Sequence, residues 1–113
     1  EYKEIHDNGR KVILSHYPVM CYNGQYRLNE KGEPKTYMLY GHVHDTRDEL
    51  LIDHFIRATR QTSFLDFEGK EKMIPCCMIN CFCVFSDYVP LTLDEWIEND
   101  QMRRRQLVEK FSN

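Results

Sequence analysis

Three histidines carry the chemistry that this sequence can offer. His42 and His44 stand one residue apart in Tyr37-Met38-Leu39-Tyr40-Gly41-His42-Val43-His44, and His16 lies in Val12-Ile13-Leu14-Ser15-His16-Tyr17-Pro18. Neutral imidazole is the commonest side-chain ligand for a metal ion. If residues 41–44 stay extended, His42 and His44 point the same way with Cα atoms roughly 6.5 Å apart. Both rings then reach one ion, or one each of two ions about 3.5–4 Å apart. A lone histidine at the end of a strand is ordinarily a surface or capping residue. Three of them, all at strand ends and two in Gly-His-Val-His, point to metal binding.

The elements that must position these residues are two strands. Residues 37–40 are uninterruptedly apolar, as in a strand buried on both faces, and Gly41 marks a turn or a close approach of the backbone. Residues 11–16 repeat the design, with Pro18 stopping the run.

Ser-His-Tyr-Pro at residues 15–18, followed by Tyr-Gly-His-Val-His at 40–44, resembles the last two metal-binding motifs of the calcineurin-like metallophosphoesterases. The resemblance runs from about residue 10 to residue 96, because residues 80–96 look like that family's closing segment. It is closest to the small phosphoesterases of bacteria and phages. It implies an α/β fold, the C-terminal half of a layered sandwich with a mixed β-sheet and flanking helices. It also implies hydrolysis of a phosphate ester at a centre of two divalent ions, Mn, Fe or Zn. By motif, His16 and His42 would bind one ion and His44 the other.

The family's earlier motifs, Asp-x-His, Gly-Asp-x-x-Asp and Gly-Asn-His-Asp/Glu, have no counterpart in these residues. Three neutral imidazoles do not offset the charge of two dications, which need carboxylates. Asp45 and Asp48 are near in sequence, but Asp48 falls in a helix-capping turn, where an acid serves the helix dipole. The expectation is half an active site: residues 1–113 form the C-terminal portion of one domain, whose partner is its own missing N-terminal half. Glu1 in place of an initiating methionine fits a chain cut from a longer one. Isolated, it is expected to be catalytically silent, and the alternative is a non-catalytic remnant or interaction module.

Two other groups invite chemistry. Tyr17, Tyr22 and Tyr26 can form a substrate wall or simply pack their loop. Cys76, Cys77, Cys81 and Cys83 suggest a small structural zinc domain. Their spacing lacks Cys-x-x-Cys pairs, and alternation over residues 78–85 would place Ile79, Cys81, Cys83 and Phe85 on one apolar strand face. There a free cysteine acts as a small hydrophobe.

At 113 residues the chain is one domain at most, with 42% hydrophobic and 29% charged residues. A net charge of −3 gives no basic field for nucleic acid. No apolar run approaches a membrane span. Five cysteines, an odd number, do not look like a disulfide framework, so a reducing cytoplasm is the expected home. Residues 1–10 read as the tail of a helix closed by Asn8-Gly9. Thr46-Arg47-Asp48-Glu49 fits a capping box opening a helix to about Arg60, with Leu51, Phe55 and Ala58 on its buried stripe and His54 on its surface. Residues 63–67 suit a strand before Glu68-Gly69-Lys70. Thr92-Leu93-Asp94-Glu95 is a second capping box, starting a helix with Trp96, Ile97, Leu107 and Phe111 on its apolar side. Arg103-Arg104-Arg105 reads as a solvated face of that helix.

Overall fold

The computed structural model describes residues 1–111, with side chains to Leu107. The expected place of Phe111 therefore lies outside the described side chains. A four-stranded mixed sheet has the order β1-β2-β3-β6. It comprises β1 (Tyr2–Asp7), β2 (Arg10–Ser15), β3 (Thr36–Tyr40) and β6 (Met78–Asn80). β1 is antiparallel to β2, whereas β2, β3 and β6 run parallel. Helix α1 (Arg47–Arg60) and a small hairpin of β4 (Ser63–Leu65) and β5 (Glu71–Met73) lie in the crossover from β3 to β6. A 3-10 turn (Cys83–Ser86) leads to the last helix, α2 (Leu93–Phe111). Among the described residues no helix is long and apolar enough to cross a membrane.

The pleat divides the core into two. Ile13, Met38, Tyr40 and Met78 face α1, packing against Val43, Ile52 and Ile56. Val12, Leu39 and Ile79 face the other way, against Leu93, Trp96 and Ile97 of α2. The continuous apolar runs follow from this burial on both faces. The second capping box is formed: the Thr92 N–H donates to Glu95 Oε1 at 2.9 Å and the Glu95 N–H to Thr92 Oγ1 at 3.2 Å. Those contacts hold the Glu95 carboxyl below its usual range.

Four stretches depart from expectation. Residues 1–10 form a hairpin rather than a helix tail. Asn8 (φ 50°) and Gly9 (φ 79°) take the two left-handed positions of a two-residue turn, the conformation that Asn-Gly adopts most readily. In α1 the buried stripe is Glu49, Ile52, Asp53 and Ile56, while Leu51 and Ala58 face solvent and Phe55 is half-buried. Thr46 does cap this helix through the Asp48 N–H, but Glu49 does not reach back to complete a box. Beyond Asn80 the chain leaves the sheet, because Asn80 pairs with Tyr40, where β3 ends. Alternation over residues 81–85 thus has no ladder to follow, and the segment winds into the 3-10 turn.

The arginine run is the fourth. Arg105 is exposed, but Arg104 is 6% exposed and Arg103 half-buried. Arg104 donates to Asp53 Oδ1 at 2.7 Å, to Asp100 Oδ2 at 3.0 Å and to the Met78 carbonyl at 3.2 Å. Arg103 donates to Glu49 Oε2 at 2.7 Å, and Arg57 to Asp53 Oδ2 at 2.6 Å. The Tyr40 hydroxyl completes the group, donating to Glu49 Oε1 at 2.5 Å. Three guanidiniums, that of Arg57 partly exposed, face three carboxylates, so the charges of the cluster balance. Through this cluster the second half of α2 crosses the outer edge of β6 to reach α1.

Candidate metal site at the strand ends

Parallel pairing sets Ser15, Tyr40 and Asn80 side by side, since Ser15 pairs with Tyr40 and Tyr40 with Asn80. The next residues on each strand therefore emerge on one rim, the carboxyl end of the sheet, where open α/β folds place their ligands. The Gly41 N–H donates to the His16 carbonyl at 3.0 Å, tying the first two exits together.

His16 and His42 meet there. His42 Nδ1 lies 3.2 Å from His16 Nε2, with ring centroids 5.1 Å apart and planes at 73°. Tyr17 flanks both, its ring 5.0 Å from His16 and 4.4 Å from His42. Two nitrogens bound tetrahedrally to one ion at about 2.0–2.1 Å stand about 3.3 Å apart. The pair therefore matches one edge of a zinc-sized coordination sphere. Without an ion the same distance suits an N–H···N hydrogen bond between two neutral rings.

His44 does not join them. The loop is not extended, because His42 (φ 65°) and His44 (φ 50°) both take left-handed backbone angles and the Val43 N–H folds back to the Gly41 carbonyl. Val43 between them has its side chain in the α1-side core, and the two left-handed residues on either side of it break the alternation that would have aimed both rings one way. The His44 ring stacks on Phe82 at 4.6 Å, with planes 11° apart. Gly41 is not required sterically. Its φ is not positive, and an added Cβ would meet only ordinary contacts, the nearest 3.6 Å away.

Asn80, unremarked in the sequence, organises this rim. It is 1% exposed, donates from Nδ2 to the His44 carbonyl at 2.8 Å and accepts the Phe82 N–H at 3.0 Å. The signal was available as a polar amide ending the apolar run Met78-Ile79.

Of the three tyrosines only Tyr17 is at the site. Tyr22 is buried, and its oxygen accepts the Cys77 N–H at 2.6 Å. Burial pushes its hydroxyl pKa far up. Tyr26 packs on Phe64 at 5.1 Å. A substrate wall of all three tyrosines is not what the fold builds.

The cysteines are likewise dispersed. Cys76 and Cys77 are buried and Cys81 is half-buried, whereas Cys83 is exposed on the 3-10 turn rather than inside a strand face. Burial raises the Cys77 and Cys81 thiols to about 12, which disfavours the thiolate that zinc needs. Among the described residues no three His, Cys, Asp or Glu side chains are grouped to hold an ion. Replacing Cys81 and Cys83 together by alanine should leave zinc content, measured by atomic absorption, unchanged and alter stability by about 1–2 kcal/mol at most. Searches of family models, curated proteins and solved structures find no match to this chain.

Proposed function

We propose that this chain is the C-terminal portion of a metal-dependent phosphoesterase domain, in which His16 and His42 supply two ligands to a divalent ion. The supporting observation is the convergence of these two rings, at 3.2 Å, on the carboxyl rim of adjacent parallel strands. The motifs Ser-His-Tyr-Pro and Gly-His-Val-His sit at the two strand ends where such a centre would be built. Bound divalent ions would polarise a phosphoryl oxygen and favour attack by water.

The residues fit one edge of one ion and no more. A two-ion centre needs anionic ligands, and neither Asp45 nor Asp48 is grouped with the histidines. Those ligands, and the Asp-x-His, Gly-Asp-x-x-Asp and Gly-Asn-His motifs that would carry them, belong in this proposal to an N-terminal half. Tyr17, exposed beside both rings, is the residue placed to touch a phosphate-ester substrate.

The test is hydrolysis of p-nitrophenyl phosphate with added Mn, by this chain alone and joined to the upstream segment carrying the three motifs. The isolated chain should stay at the protein-free background. The joined protein should turn over, and His42→Ala should abolish most of that activity. Silence of the joined protein, or turnover indifferent to His42→Ala, overturns the proposal.

A further inference from the structure

The outer edge of β1 is open among the described residues, and five of its six residues are exposed. An edge strand in this state is a template for another strand, and charged side chains are the usual device that blocks such pairing. In β1 the charges have an order that blocks some registers and favours another.

The two-residue turn at Asn8-Gly9 makes Asp7 and Arg10 the closing hydrogen-bonded pair. Backbone groups of Lys3, Ile5 and Asp7 therefore point inward to β2, and those of Tyr2, Glu4 and His6 point outward. When two copies of such an edge pair antiparallel about a twofold axis, one residue faces its own copy. Registers centred on Lys3, Glu4 or Asp7 set like charges opposite each other, the one centred on His6 opposes two imidazoles, and the one centred on Tyr2 pairs only residues 1–3 of the chain. Centring on Ile5 places Ile5 against the partner's Ile5 and Lys3 against the partner's Asp7. It also sets Glu4 against the partner's His6, as a hydrogen-bonded pair, because both residues direct their backbone outward.

We infer that β1 is a self-complementary edge, and that two copies of this chain associate through it, in the register centred on Ile5, to form a continuous eight-stranded sheet. The apolar surface agrees. Ile5 pairs across the hairpin with Val12, a member of the α2-side core, so it lies on the same face of the sheet as that core and would meet its copy there. The other end of the sheet is not equivalent, because Arg104 of α2 already occupies the Met78 carbonyl of β6. Association through one short edge gives a weak, concentration-dependent dimer rather than a permanent one. The inference uses no residue of the metal site and concerns the 113-residue chain by itself; a preceding segment paired with β1 would take the place of the second copy.

Sedimentation velocity across a concentration series tests it. The 113-residue chain should approach twice its 13.6 kDa mass as concentration rises, and no further. Amide hydrogen exchange should slow at Glu4 and His6 over the same range. Lys3→Asp and Asp7→Lys each place like charges at both symmetry-related 3–7 contacts and should weaken association about tenfold or more. An equimolar mixture of the two variants regains both opposite-charge contacts and should dimerise as a heterodimer. So should the double variant carrying both changes. A monomer at every concentration, growth without limit, or a dimer unaffected by either single substitution overturns the inference. The exchange measurement needs no variant, so a substitution that fails to fold does not shield it.

Discussion

Arg104→Met is expected to cost about 3–5 kcal/mol of stability, because it strands buried carboxylates without their counter-charge. Arg104 is held between Asp53 at 2.7 Å and Asp100 at 3.0 Å, in surroundings that are almost fully buried. Against a total stability of roughly 5–15 kcal/mol for a domain, a loss of that size leaves little of the folded state. Urea unfolding measures it, with Arg105→Met, at an exposed position, as the near-neutral control. The same cluster sets a pH limit. Burial works against ionisation of Asp53, but Arg57 and Arg104 outweigh it and hold the carboxyl below its ordinary 3.8. A carboxyl depressed by folding stabilises at pH values above its unfolded value, and the contribution disappears as pH falls through the folded one. Stability should therefore decline below about pH 4, and less steeply in Asp53→Asn. An unchanged midpoint in Arg104→Met would remove the cluster from the account of what holds the sheet to its helices.

His16→Ala and His42→Ala should each weaken zinc binding by at least about tenfold, since each removes half of a two-nitrogen edge. Isothermal titration of the isolated chain gives the comparison directly. His44→Ala should retain most of the affinity, because its ring is stacked on Phe82 and not directed at the pair. His6→Ala and His54→Ala, both exposed and outside the contacts of the His16–His42 pair, should be silent. Equal losses for His42→Ala and His54→Ala would dismiss the pair as a metal site.

What could be read from the residues was what is decided locally. The strands β2 and β3 announce themselves by their apolar runs, and the Thr92 cap by a contact spanning three residues. The fold class, α/β with a mixed sheet and helices, comes from the resemblance of the histidine motifs rather than from these elements, and the sheet order β1-β2-β3-β6 agrees with it at that level. What escaped depends on distant partners. Glu49 has the spacing of a capping acid after Thr46, but Arg103, 54 residues further on, draws it into the interior. Nothing near Arg104 in sequence shows that Asp53 will meet it. Helix α1 offers apolar residues at 50–52 and 55–56, and the side that turns inward is the one carrying Asp53 toward Arg104. Likewise Asn8-Gly9 closes a helix or a hairpin equally well, and the strand beside it settles which. At the site, the exits of His16 and His42 were legible, but the left-handed backbone at His42 and His44 and the stacking of His44 on Phe82, well downstream, were not.

The charged cluster also anchors the histidine loop from both sides. Tyr40 immediately precedes Gly41, and Glu49 lies in the first turn of the helix that follows His44. Both side chains are clasped by α2, Glu49 by Arg103 at 2.7 Å and the Tyr40 hydroxyl by Arg104 at 3.3 Å, and they also hold each other. The loop is thus a short span whose two abutments rest on arginines more than fifty residues downstream. A break in that foundation would tilt the span, and the aim of His42 with it, although among the described residues no hydrogen bond, ion pair or ring contact joins α2 to a histidine ring.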